Sequence, residues 1–164
     1  MDTAEAKDQT LLDALVRHVK AKPDAVAYQS GSTQLTFQEL DRKTNQIANA
    51  LVAMKVQAGD RVASLTKFQI DGFLLVLAAC KIGAVCMPVN WRLAPDELAY
   101  IMGHGRAKLV LTDAGFIAGV TQYQQGEAPA ARARLVCTEG ASDGVEGFAA
   151  WYQSFSDQFK TIPI

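Results

Sequence analysis

Residues Gly83–Leu98, GAVCMPVNWRLAPDEL, decide how this chain is read. The apolar run Ala84–Val89 predicts a buried strand, and Pro88–Asn90 predicts a turn. Pro95, with Asp96 and Glu97 behind it, predicts the first turn of a helix, because proline fits that position and acidic groups favour a helix N-terminus. Strand and helix signals alternate outward from this stretch. Upstream, Gly59-Asp60 turns into a strand over Arg61–Thr66, and a helix covers about Gln69–Ile82. Downstream come a helix over Pro95–Met102, a strand over Lys108–Thr112, a helix near Phe116–Tyr123, a strand over Arg134–Thr138 and a short helix near Val145–Phe155. Strands separated by helices of this length argue for βαβ units and a parallel sheet, an α/β fold.

The N-terminal part reads differently. Leu11, Leu12, Leu15, Val16 and Val19 share one face of a helix over Leu11–Lys20, which Pro23 stops. Ala25–Gln29 and Gln34–Thr36 predict a hairpin around Ser30–Thr33. Thr36-Phe37-Gln38-Glu39 is a capping box, with Leu35 and Leu40 placed as a hydrophobic staple, and Leu40, Ile47, Leu51 and Met54 carry the apolar stripe onward. Gln124–Arg132 and Thr138–Gly147 read as exposed loops, and Gly103 and Gly105 as the end of a helix.

The chain has 164 residues, enough for one domain that buries about 70% of its unfolded surface. It is 49% hydrophobic and 20% charged, with 16 basic and 17 acidic residues. That balance is globular and supplies no basic field for nucleic acid. Cys80, Cys86 and Cys137 form an odd set without C-x-x-C spacing, which reads as small buried side chains in a reducing compartment. His18 and His104 have no cysteine at ligand spacing, so no metal site is expected. Asp2, Glu5, Lys7 and Asp8 break any signal-peptide core, and the longest apolar run, Phe73–Cys80, is too short to span a bilayer. The expected location is cytoplasmic.

Three stretches imitate phosphate loops. Ser30-Gly31-Ser32-Thr33 leads into a strand and has no following Gly-Lys pair; Gly103-His104-Gly105 follows a helix and has Lys108 at the third glycine position; Gly140, Gly144 and Gly147 lack a Lys-Ser or Lys-Thr partner. A phosphate cradle needs amides converging at a helix N-terminus, so all three read as turns. No G-x-S-x-G elbow occurs, and no catalytic residue is nominated. Arg92 is the one candidate binding residue. It follows the strand of the opening stretch at its C-terminal end, where open α/β sheets bind ligands, and a guanidinium there suits a phosphate or carboxylate. Its competing role is a helix cap or a partner for Asp96 or Glu97.

Several motifs together resemble the adenylate-forming, AMP-binding superfamily of acyl-CoA synthetases. Leu35–Leu40 is similar to the T-Y/F-x-E-L helix opening, which closes on Ala48–Leu51; Gly59–Ala63 matches G-D-R-V-A; Leu77–Val85 resembles A-x-x-x-x-G-A-V. Pro88–Leu93, with Glu97-Leu98 and Tyr100-Ile101, matches P-x-N-x-R-L followed by E-L-x-Y-I. The resemblance covers about Leu11 to Asp113. Lys55 stands where the family usually has glycine, and Lys67 where it often has asparagine.

The resemblance implies a Rossmann-like parallel sheet flanked by helices, with residues 1–164 forming an N-terminal subdomain of such an enzyme. It implies a parent ligase that adenylates a fatty or aryl carboxylic acid with ATP and Mg2+, then passes the acyl group to the thiol of CoA. The family's phosphate-gripping loop, its ribose aspartate and its C-terminal lysine have no counterpart among these residues, so the 164-residue chain is expected to be inactive and to bind no cofactor tightly. Its expected partner is the remainder of its own polypeptide, and exposed apolar surface allows self-association. Arg92 corresponds to an arginine near the CoA phosphates in some ligases. The rival readings are a stand-alone, non-enzymatic binding or regulatory domain, and a dehydrogenase-type nucleotide domain, which lacks its glycine fingerprint here.

Overall fold

The computed structural model describes residues 10–67, 70–126 and 132–162. Thr10 opens the first helix, α1 (Leu11–Ala21), through a capping box with Asp13. Of the five apolar residues expected on its inner face, Leu15 is buried, whereas Leu11 and Val16 are 51% and 61% exposed. The stripe that packs is narrower, because the helix lies on the edge of the core. The hairpin follows as β1 (Val26–Ser30) and β2 (Thr33–Thr36), antiparallel. Gly31 takes the positive φ of 56° that its turn requires.

Helix α2 (Phe37–Ala53) carries the capping box read from its sequence. The Thr36 hydroxyl accepts from the Glu39 amide at 3.2 Å, and the Glu39 carboxylate accepts from the Thr36 amide at 2.8 Å. Leu40, Ile47 and Leu51 are buried along one face. The chain then alternates through β3 (Arg61–Leu65), α3 (Ile70–Lys81), β4 (Val85–Pro88), α4 (Pro95–Gly105), β5 (Leu109–Thr112), a short 3-10 turn (Ala114–Phe116), α5 (Ile117–Gln125), β6 (Arg134–Cys137), β7 (Glu146–Gly147) and α6 (Phe148–Tyr152). The expected start of α3 at Gln69 lies outside the described residues, as do residues 127–131 of the loop expected over Gln124–Arg132.

The five strands β3 to β7 form one sheet in the order β4-β3-β5-β6-β7, every adjacent pair parallel. Alternation along the strands splits the core in two. Val62, Leu109, Leu111 and Val136 pack toward α2 and α3, while Ala63, Leu65 and Val110 pack toward Met102 of α4 and Val120 of α5. Strand β5 is buried along its whole length, as a central strand covered on both faces must be.

Four details differ from the sequence reading. Strand β4 is an edge strand and not a buried one: Val85 is 50% exposed, because only β3 pairs with it. Gly103 and Gly105 lie inside α4, and Arg106 takes the left-handed cap, with φ of 46°. Gln124 is buried in α5 instead of starting a loop. The segment Thr138–Gly147 ends in β7, where a Cβ on Gly147 would sit 2.8 Å from the Gly140 Cα.

A polar layer ties the C-terminal segment to α2. Asn45 donates to the Asp157 carbonyl at 2.9 Å, Gln46 to the Gln153 carbonyl at 3.0 Å and the Phe155 carbonyl at 3.1 Å, and Asn49 to the Ser156 and Gln158 carbonyls at 2.8 and 3.0 Å. Beneath it, the Lys81 ammonium is buried and donates to Asp41 Oδ1 at 2.6 Å and Asn45 Oδ1 at 2.5 Å. Burial pushes the Lys81 pKa down, and the Asp41 hydrogen bond and charge oppose that fall. The Ile162 amide completes the strap by donating to the Lys81 carbonyl at 2.9 Å.

Candidate functional site

Strands β3 and β5 are neighbours, yet the helices that follow them cover opposite faces of the sheet. Their outgoing connections therefore diverge and open a crevice at the C-terminal edge, the place where open α/β sheets bind ligands. Two hydrogen bonds hold that crevice. Asp113, directly after β5, is buried and accepts from the Lys67 amide at 2.9 Å and from the Thr138 hydroxyl at 2.8 Å. One carboxylate thus fixes the exits of β3, β5 and β6.

The exit of β4 supplies the rest. Val89 continues the pairing by donating to the Ser64 carbonyl at 2.8 Å, and the chain then turns on Asn90. The Asn90 side chain accepts from the Arg92 amide at 3.0 Å, a local substitute for a backbone turn bond. This turn lays Arg92 back over its neighbour, with its guanidinium carbon 4.0 Å from the Trp91 ring centroid. The Lys67 ammonium stands 5.2 Å from the same ring and 5.5 Å from Phe116. The Trp91 indole N–H is buried without an acceptor among the described residues.

Two clefts meet at Trp91. The larger, about 680 Å³, is lined by Tyr28, Phe73, Ser64, Thr66, Trp91 and Arg92 among others. Tyr28 and Phe73 stack at 6.2 Å and give it an aromatic wall. Gly72 matters here, because a Cβ would come within 3.1 Å of the Ser64 hydroxyl and 3.3 Å of the Thr66 hydroxyl. The second cleft, about 500 Å³, shares Asn90 and Trp91 and runs toward Phe116 and Tyr123.

Arg92 stands at the sheet edge, as its sequence position implies, with an exposed side chain. Its alternative partners are not used. Glu97 is engaged by the Ala94 amide at 2.9 Å, and among the described residues Arg92 forms no ion pair. The two histidines, which the sequence does not nominate, pack elsewhere. His18 packs on Phe37 at 4.8 Å and His104 on Tyr100 at 6.0 Å. Sequence reasoning passed over Lys67, Asp113 and the Tyr28–Phe73 pair. The signals available were a lysine where the resembled family often has asparagine and an aspartate directly after an apolar strand. The pairing of Tyr28 with Phe73 is tertiary and has no local signature.

Among the described residues, no group of three His, Cys, Asp or Glu side chains converges as metal ligands. Burial, aided by neighbouring Cys80, pushes the Cys86 thiol up to about 11, away from the reactive thiolate. Asp71, in the first turn of α3, is pushed up to about 6 by burial; the Lys43 charge lowers it and Asp113 raises it. No described helix is long and apolar enough to cross a membrane.

The family model for AMP-binding enzymes matches residues 15–157 of this chain. The chain belongs to that family. A fatty acid–[acyl-carrier-protein] ligase, ScoC, of Streptomyces coeruleorubidus is 32% identical over 149 residues, covering 91% of this chain and 27% of its own length. ATP-bound MatB from Rhodopseudomonas palustris superposes with a TM-score of 0.75 at 25% identity, over 90% of this chain and 29% of that one. The anthranilate CoA ligase AuaEII, in complex with anthranoyl-AMP, shares the fold with a TM-score of 0.83 at 22% identity, over 92% of this chain and 28% of that one. The AMP-binding family member described by these 164 residues thus spans a little over a quarter of each of these three relatives.

Proposed function

We propose that this chain is the N-terminal subdomain of an ATP-dependent acyl-CoA synthetase, which adenylates a fatty or aryl carboxylic acid and then forms a thioester with CoA. The observation that carries the reading is the crevice at the C-terminal edge of β3, β4 and β5 in a member of the AMP-binding family, with the free guanidinium of Arg92 at its rim. Relatives named for fatty acids, ferulate and anthranilate support a carboxylic acid substrate.

Within that reading, the described residues offer scaffolding and a thiol-side contact and no adenylation machinery. Adenylyl transfer depends on positioned charge around the phosphates. None of the glycine-rich stretches provides it: Gly31 sits in a hairpin, and Gly103 and Gly105 lie in a helix. ATP and its magnesium are held by the rest of the parent polypeptide, and the 164-residue chain is catalytically silent. Arg92 contacts a CoA phosphate.

The test begins with the reading frame beyond the codon for Ile164. The polypeptide it encodes should catalyse pyrophosphate–ATP exchange that depends on added fatty or aryl acid, whereas the 164-residue chain should show none. Exchange by the short chain would overturn its silence, and no acid-dependent exchange by the whole would overturn the ligase. Arg92→Ala in the whole enzyme should raise KM for CoA about tenfold, the ~1.4 kcal/mol of one charge-assisted contact, against a nearly constant KM for ATP. An unchanged KM for CoA removes Arg92 from that role.

A further inference from the structure

Two of the three free cysteines, Cys80 and Cys86, flank one turn. Helix α3 closes on a Schellman cap: the Ala84 amide donates to the Ala79 carbonyl at 2.9 Å and the Gly83 amide to the Cys80 carbonyl at 3.2 Å, with Gly83 at φ of 71°. The chain then runs back along the helix as β4. Phe73, Val76 and Cys80 are spaced i, i+3 and i+7 and share one face of α3. On β4, Cys86 packs against the half of the core that contains α3, whereas Met87 packs against the other half. By the same alternation Pro88 returns to the α3 side. Val76 and Pro88 face a common gap, because both line the larger cleft. From Val76 to Cys80 the helix advances about 6 Å, and from Pro88 back to Cys86 the strand covers about 6.6 Å. The steps match, so Cys80 stands opposite Cys86 as Val76 stands opposite Pro88. Both thiols are half-buried. Cys137 is buried three strands away, roughly 14 Å across the sheet and out of reach of either.

We propose that Cys80 and Cys86 form a modification site, a dithiol pair that a small disulfide of the glutathione type oxidises to an intramolecular disulfide between α3 and the edge strand β4. This is independent of the acyl-CoA synthetase reading. The chemistry is two successive exchanges. The Cys80 thiolate attacks one sulfur of oxidised glutathione and expels a glutathione thiolate, which leaves Cys80 in a mixed disulfide. Cys86 then gives its proton to solvent, and its sulfur attacks the Cys80 sulfur and expels the second glutathione thiolate. The protein loses two electrons and two protons, and oxidised glutathione takes them up as two thiols. The surroundings divide the roles. Cys80 ends the outer stripe of α3, whereas burial holds Cys86 as the thiol and keeps it from starting the reaction. Held opposite Cys80, Cys86 completes the exchange without a second encounter. Such a partner also keeps oxidation of Cys80 on the reversible part of the thiol ladder.

The test takes the 164-residue chain, shown to be folded by circular dichroism, through buffers of falling ratio of reduced to oxidised glutathione. Remaining thiols are alkylated, and the products are mapped by mass spectrometry. Trypsin cuts after Lys81, between the two cysteines, so the disulfide joins the peptide ending at Lys81 to the one ending at Arg92, and reduction separates them. Expected is the loss of two of the three free thiols, with that linked pair as the main product. Its yield should not change over a tenfold range of protein concentration. Cys86→Ser should halt the reaction at the mixed disulfide on Cys80, Cys80→Ser should leave Cys86 reduced, and Cys137→Ser should change nothing. The map of the unaltered chain decides the matter even where a variant fails to fold. Glutathione that persists on Cys80 beside a free Cys86 overturns the pair. A linked peptide that contains Cys137, joins two chains or forms only in urea overturns it as well, and so does the absence of reaction at the most oxidising ratio.

Discussion

Lys55 adopts φ of 62°, one of three non-glycine residues in the left-handed region among those described. The chain keeps there the backbone that a glycine would take without strain, and the lysine side chain costs ~1 kcal/mol for it. Lys55→Gly should therefore raise the urea midpoint by an amount worth about 0.5–1 kcal/mol, part of the relief being lost to a more flexible unfolded chain. Asp71 is a second strained residue, of electrostatic kind. Its carboxyl is raised from the ordinary 3.8 to about 6 by burial, so the unfolded chain ionises first as pH rises. The folded state loses stability across that window and does not recover it above pH 6. The helix N-terminus favours the ionised form by only ~0.3–1 kcal/mol and does not reverse the sign. Asp71→Asn should thus stabilise the protein by roughly 1–2 kcal/mol at pH 7.5, allowing for solvent screening. The gain should vanish below pH 4 in thermal melts. A variant equally stable at both pH values would show that burial does not govern this group.

The capping box of α2 was legible because it is local: Thr36 and Glu39 meet within one turn whatever the remainder of the fold does. Thr36→Ala should cost about 1 kcal/mol, read from the denaturation midpoint. The order of strands and helices was legible for the same reason. The end of α4 was legible to within a turn: Gly103-His104-Gly105 carries the composition of a helix stop, and the helix ends on Gly105, with Arg106 as its left-handed cap. Gly105 is there for contact, since a Cβ on it would fall 2.4 Å from the Met87 sulfur of β4, and its carbonyl accepts from Arg61 Nε at 2.6 Å. No local pattern distinguishes a glycine that ends a helix from one that lets a strand approach it. The apolar letters of β4 misled: they look alike in a central and an edge strand, and only the pairing order separates the two. At the candidate site, Arg92 was legible from its place after a strand, but its companion Lys67 lies 25 positions earlier and joins it only through the parallel pairing of β3 with β4.

Across the molecule, the C-terminal strap is joined to the core by Phe155 and Phe159, which pack against it, and by a layer of polar groups. Lys81, Asp41 and Asn45 sit at that junction. Removing one member leaves the others unequal. Asp41→Ala strands a buried ammonium and should cost about 3 kcal/mol. Lys81→Met leaves a carboxylate that still reaches water and should cost less, roughly 1–2 kcal/mol. The double variant should be no worse than Asp41→Ala, a non-additivity that a double-mutant cycle measures directly. The strap has a further consequence in time. Asn49 reaches its partner Gln158 across 109 residues. At a synthesis rate of ~5–20 residues per second, the wait between their emergence is on the order of ten seconds. Throughout it, the amide face of α2 stays hydrated on the nascent chain. A segment synthesised 109 residues later is therefore one that seals the first long helix.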